Sequence, residues 1–326
     1  MTGRWLLPAL VLALGLGALA GPGCVTGTSG VRPAGEAQPA PPPRTEAPVP
    51  PTEFQLPPRV PRLSEPGGVD EPVPGGDIDW SGNVVRARGT GVVDPGMKNP
   101  AQARLMAERA AVVVAQRNLL EIVKGVRVDS ETRVENFMTD YDVVYSRVEG
   151  YVKGARQRGP ARYDSLGGTV EVELEMEIYG EEGLSDALIP ALGAGEVGAA
   201  SLSPQVRDFL EQYSGLVFDG GAAGLRPSMF PKIYDENGNL LLDTRDYAAY
   251  LGSGGQATLQ FISDLDRVLA RPEFARSPLV LKVRQVTGRL GSDIILGGPD
   301  ADKLKWLKDG FKYLLDAGRF LLKVLL

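Results

Sequence analysis

The chain has 326 residues, 35 basic and 41 acidic side chains, and a formal net charge of −6. Apolar residues make up 43 % and charged residues 23 %, an ordinary balance for a globular protein. With no histidine and one cysteine, it has no Ser-His-Asp or Cys-His nucleophilic site, histidine-ligated zinc, thiolate cluster or internal disulfide. Mild acidity argues against a broad nucleic-acid-binding face.

Residues 1–23 read as a signal peptide. Arg4 precedes an apolar run from Trp5 to Ala20, and the small residues Gly21, Pro22 and Gly23 lead to Cys24. The run is short for a transmembrane helix, which needs ~20 apolar residues, and Pro8 interrupts it. The only cysteine, Cys24, falls where a bacterial lipoprotein signal places its lipidated thiol. There the sulfur takes a diacylglycerol, cleavage occurs just before it, and the new amino group takes an acyl chain such as palmitate. Gly23 fits that signal, whereas Gly21 stands where an aliphatic residue is usual. The alternative is plain secretion with Cys24 a chance residue. Val25 and Thr26 follow the cysteine, and by resemblance to Gram-negative sorting signals this implies the outer membrane, facing the periplasm.

Residues 24–77 lack any hydrophobic period and are rich in proline, with Pro41, Pro42 and Pro43 in a row. Such a segment buries too little apolar surface to offset its chain entropy, so it reads as an extended tether. At ~3.1 Å per residue it reaches on the order of 150 Å.

The first module is expected over 78–182. Val84–Val93 has strand composition. Pro100 opens a long helical pattern that stops at Gly125, with Leu105, Ala107, Ala111, Val114, Ala115, Leu119, Ile122 and Val123 on one apolar face. Val126–Val134 alternates as a strand, and Phe137–Val148 follows as a second helix. Tyr151–Gln157 and Thr169–Tyr179 complete the set as strands. In the last, Val170, Val172, Leu174, Met176 and Ile178 point inward and Glu171, Glu173, Glu175 and Glu177 outward. This order predicts an α+β sandwich with helices on one sheet face.

The run ARGTG, then AERAAVVVAQRNLLEIVKGVRVDSET, VEGYVKGARQ and VEVELEM, resembles the LPP20-type lipoprotein family and the related N-terminal domain of flagellar assembly T proteins. The likeness covers roughly Val85 to Ile178. It implies a periplasmic, outer-membrane-anchored module, in some relatives part of a ring around the flagellar rod, and it carries no catalytic residues.

A Gly/Ala-rich connector (183–202) leads to a second α+β module over 203–326. SGLVFD reads as a strand, and PKIYDENGNLLLD as a hairpin turning in type I′ geometry at Asn237-Gly238. Ala257–Ala270 reads as an amphipathic helix, PLVLKVRQVTG and SDIILGG as strands, Asp300–Leu315 as helical, and GRFLLKVLL as a closing strand.

Asp235, Asn237, Asn239 and Asp243 are spaced like a calcium loop, but Leu240 and Asp246 stand where an EF-hand requires glycine and glutamate. RGTGVVDPG and DGGAAGLRP lack the third glycine of a dinucleotide fingerprint and read as bends or bulges. The glutamate comb reads as a solvated face, with a docking strip for a basic partner or cation as the functional alternative. Arg226, Pro227 and Tyr234 read as loop packing before a binding groove.

No catalytic, cofactor-binding or metal residue is assigned, and Cys24 is the one modification site. The leading expectation is a non-enzymatic outer-membrane lipoprotein presenting two periplasmic modules to other envelope proteins, with self-association an option and neither nucleic acid nor nucleotide as a partner. A ring or basal-body component and a carboxylate-dependent envelope hydrolase are the alternatives.

Overall fold

The computed structural model describes residues 68–193, 202–213, 215–251, 257–266, 278–307, 310–316 and 320–326. Cys24 and most of the expected tether lie outside them. Strands β1 (Asp70–Val73), β2 (Gly76–Asp79), β3 (Val84–Val92), β4 (Arg156–Gln157), β5 (Arg162–Asp164) and β6 (Thr169–Glu177) make an antiparallel sheet ordered β1-β2-β3-β6-β4, with β5 also on β6. The β1-β2 hairpin turns at Gly75 (φ +83°), inside the stretch read as tether.

Helix α1 (Pro100–Gly125) starts where the Asn99 side chain accepts the Ala101 and Gln102 N–H groups, with Pro100 in the first turn. It lies on the sheet through a row of small residues: Ala103, Ala107, Ala111 and Ala115 are buried, followed by Leu119, Ile122 and Val123. Opposite them, Gly89 and Gly91 sit in β3 with no room for a side chain. A Cβ on Gly91 would stand 1.9 Å from the Ala107 carbonyl oxygen, and one on Gly89 2.1 Å from that of Ala111. These glycines are neither bends nor bulges; they lie in regular pairing with β6 and let a helix backbone touch a strand. Leu105 corrects the expected apolar face: it is 59 % exposed, because only the narrow alanine row reaches the sheet.

Helices α2 (Val134–Asp140) and α3 (Asp142–Lys153) pack on α1, and α4 (Leu184–Leu192) packs on α3. The helix expected over Phe137–Val148 is thus two, broken at extended Tyr141. The residues read as a strand over Val126–Val134 form a loop. There the Asp129 carboxylate accepts the Glu131 and Thr132 N–H groups and closes a turn, leaving one isolated bridge between Arg127 and Arg133. Tyr151–Lys153 belongs to α3, so only Arg156–Gln157 of that expected strand remains.

The second sheet has the order β10-β13-β7-β11-β12-β8-β9. Its strands are β7 (Leu216–Asp219), β8 (Lys232–Asp235), β9 (Leu240–Asp243), β10 (Ala257–Ile262), β11 (Leu279–Thr287), β12 (Asp293–Leu296) and β13 (Phe320–Leu325). The pairs β10-β13, β13-β7, β7-β11 and β12-β8 are parallel; β11-β12 and β8-β9 are antiparallel. Helices α5 (Pro204–Leu210), α6 (Gly298–Leu307) and α7 (Phe311–Asp316) accompany it. Ala257–Ile262 is therefore a strand, not the start of a helix. The short apolar run finds a parallel neighbour in the closing strand, and this tertiary pairing overrides the helical spacing of its apolar residues. The architecture is α+β, as expected. One hydrophobic cluster runs through both sheets, and all the described residues fall in one compact unit.

Candidate functional site

The glutamate comb lies on the sheet face opposite α1, as the alternation predicts, but it is not simply solvated. The side chains of Glu173 and Glu175 are only 14 % and 13 % exposed. Arg88 stands directly across from Glu173 and meets it at 3.5 Å; Arg158 reaches Glu173 at 3.5 Å and Glu175 at 3.6 Å, and Arg156 also pairs with Glu175. Arg86, opposite Glu175, instead meets Asp77 at 3.2 Å and Asp79 at 2.7 Å. Burial works against the charge of Arg86, but its two aspartate partners outweigh that and raise its pKa. The signal for this ladder was present: Arg86 and Arg88 alternate in β3 as the glutamates do in β6, so antiparallel pairing brings opposite charges face to face.

Where the comb ends, a cleft of about 320 Å³ opens between α3 and β6. It is lined by Gly150, Tyr151, Gly154, Ala155 and Arg156, from α3 to β4, and by Glu175, Met176, Glu177, Glu181 and Glu182, from β6 and the chain after it. Four carboxylates and one arginine line it, and since Arg156 pairs with Glu175 alone, the carboxylates of Glu177, Glu181 and Glu182 make the cleft suited to an ammonium or guanidinium group. The Tyr151 hydroxyl donates to the Asp186 carboxylate, and this hydrogen bond raises its pKa. No group of histidine, cysteine, aspartate and glutamate side chains suited to a metal ion occurs among the described residues.

The second charged assembly joins the two sheets. Ser130 donates its hydroxyl to Asp293 Oδ2 at 2.6 Å, and the Lys232 N–H donates to Asp293 Oδ1 at 2.9 Å. Asp129 faces Lys232 at 3.5 Å and Arg245 at 3.9 Å. Burial works against the charge of Asp129, but N–H and hydroxyl donors and Lys232 outweigh it and lower its pKa. Burial raises that of Asp293, helped by Asp129 and opposed by Ser130 and Lys232. Nearby, Arg127 pairs with Glu71 and donates from Nε to the Pro227 carbonyl at 2.6 Å, while the Trp80 indole donates to Glu71 at 3.0 Å and sits edge-on to Phe261. The Met229 and Phe230 N–H groups bond to the carbonyls of Arg127 and Val128, and the Tyr179 hydroxyl bonds to that of Met229. The loop holding Arg226 and Pro227 is therefore packing: Pro227 is buried and its carbonyl is used. Both buried aspartates have their oxygens engaged, which makes them a joint between sheets. Local sequence carried no sign of it, since Ser130 and Asp293 are 163 residues apart.

The Asp235–Asp243 segment is a hairpin, without the expected type I′ turn. Gly238 alone has positive φ (+80°); its N–H bonds to the Asp235 carbonyl, and the Asp235 N–H to the Asn239 carbonyl. That is a type I turn with a glycine bulge, which fits three loop residues where type I′ fits two. The Asp235 carboxylate accepts from the Asn237 and Asn239 N–H groups and from Lys305 at 2.8 Å, all of which hold its pKa well below the usual range.

No curated protein matches the chain. Residues 215–320, which hold six of the second sheet's seven strands, match the family model of the second domain of Treponema pallidum Tp0624, to which this part of the chain is similar.

Proposed function

We propose that the chain is a non-enzymatic, lipid-anchored envelope protein. In this reading Cys24 carries the lipid, residues 24–67 and the chain beside them span the distance from the outer membrane, and the two-sheet body is held out in the periplasm to dock with other envelope proteins. The observation that carries it is the joint: buried ion pairs and backbone bonds fuse both sheets into one body, so a single tether presents both at a fixed relation. The resemblance of residues 85–178 to LPP20-type lipoproteins supports the setting. The acidic cleft beside Glu175 and Glu177 supports a partner that inserts a lysine or arginine side chain. A ring-forming role stands as the second reading, resting on the likeness to flagellar assembly T proteins alone.

Fractionation tests the anchor. Cys24→Ser should move the protein from detergent-extracted outer membrane to the soluble periplasm, and unchanged fractionation would refute it. Affinity isolation of the anchored chain should recover an envelope protein that Glu177→Lys/Glu181→Lys no longer retains; recovery unaffected by the charge reversal would remove the cleft from the account.

A further inference from the structure

Helix α1 meets the sheet along its alanine row, and its opposite side is uncovered from Leu105 to Arg117. Leu105, Arg109, Val113 and Arg117 follow one another at four-residue intervals there and so form a single ridge, with Met106 and Ala110 beside it. Leu105, Met106 and Val113 are 59 %, 52 % and 54 % exposed, and Arg109 and Arg117 are exposed too. At the same end of the module, Lys98 and Arg104 are exposed, and the β5-β6 turn presents a fully exposed Leu166. Arg104 lies over the Tyr163 ring at 4.2 Å, which ties the helix to β5.

The charges set this side apart. On the far face of the sheet Arg86, Arg88, Arg156 and Arg158 are all matched by carboxylates. Lys98, Arg104, Arg109 and Arg117 form no ion pair among the described residues. Unmatched cations interleaved with exposed leucine, methionine and valine on one helix side are what an anionic, apolar-cored interface selects.

We propose that this side of α1 lies on an anionic phospholipid surface, with Arg109, Arg117 and Lys98 at the headgroup phosphates and Leu105, Met106 and Val113 entering the acyl boundary. The inference rests on the membrane-anchored reading for its setting: the tether keeps the body within reach of a bilayer, and the helix side decides how the body meets it.

Flotation with lipid vesicles tests it. The chain from residue 24 onward carrying Cys24→Ser has no acyl group, so failure here does not bear on the anchor, which fractionation reads separately. This chain should float with vesicles of phosphatidylglycerol and phosphatidylethanolamine, and far less with phosphatidylcholine vesicles or in high salt. Arg109→Gln/Arg117→Gln should weaken partitioning about 25-fold, taking about fivefold for each basic residue at the surface. Leu105→Ser/Val113→Ser should weaken it as well. Arg284→Gln/Lys303→Gln, the same change of net charge elsewhere, should leave it intact, and matching melting temperatures would show that every variant is folded. Equal flotation with both vesicle types, an unaffected Arg109/Arg117 variant, or no flotation at all would overturn the proposal. Self-association abolished by Leu105→Ser/Val113→Ser without vesicle binding would overturn it in favour of a second copy.

Discussion

Replacing Gly91 by alanine puts a methyl group 1.9 Å from the Ala107 carbonyl oxygen, 2.8 Å from its carbon and 3.0 Å from the Ala111 nitrogen. All three are backbone atoms of a regular helix, so no side chain can swing aside. Reaching ordinary contact at ~3.4 Å requires α1 to recede by roughly 1.5 Å, and a gap of that size forfeits much of the dispersion energy along the row from Ala103 to Ala115. Overpacking typically costs about 1–3 kcal/mol, and a backbone collision belongs at the upper end. The gain from removing a strand glycine, about 0.5–1 kcal/mol, offsets little of this. A net loss of about 2 kcal/mol corresponds to a melting temperature lower by roughly 4–8 °C in a body of this size. Gly150, within α3, has nothing within 4 Å of its Cβ position. Gly150→Ala should therefore raise stability by about 0.5–1 kcal/mol. Thermal and urea melts of the two variants read the difference. A Gly91→Ala chain as stable as the parent would refute the close approach of α1 and β3.

Val172, 1 % exposed beneath α1, should not tolerate Glu, because an unpaired charge would be buried there; loss of the cooperative melt is expected. Glu173→Gln should cost no more than about 1 kcal/mol, since its arginine partners are nearly half exposed, and a larger loss in a urea titration would mean that the ladder is buried by something more. The two junction aspartates should respond to pH in opposite senses. Asp129 has a lowered pKa in the folded chain, so its contribution is complete above the ordinary carboxylate value near 3.8 and fades as pH falls through its folded value. Asp129→Asn should then cost about 2 kcal/mol at neutral pH, with the gap to the parent closing below about pH 4; a gap independent of pH would refute the charge assignment. Asp293 has a raised pKa, so its penalty grows as pH rises from the ordinary carboxylate value through its higher folded value, and Asp293→Asn should lose less stability at neutral pH than Asp129→Asn.

What was legible in the sequence was whatever repeats over many residues against one uniform neighbour. Strand β6 alternates over nine residues and α1 holds its period for 26, so both appear where expected, although the helix is capped by Asn99 and by extended Val126 and not by a glycine at its end. Leu105 departs from the expected face because an apolar side chain does not by itself set direction: close approach to Gly89 and Gly91 demands small side chains, and the alanines carry the contact. Val126–Val134 alternates in type, yet the Asp129 side chain bonds its own backbone and bends the segment, a local competitor that alternation does not register. The comb and the alternating arginines of β3 were both legible, but which arginine meets which carboxylate was not, because that depends on the β3-β6 register and on the strands beside it. The joint was invisible, since each of its bonds links distant residues.

The most direct test of the account is the intact mass of the protein purified from detergent-extracted membranes. The account predicts a chain beginning at Cys24 and carrying a diacylglyceryl group on sulfur and an amide-linked acyl chain. A mature chain with an unmodified Cys24, or one cleaved beyond it, would contradict the anchor on which the presentation of the two-sheet body depends.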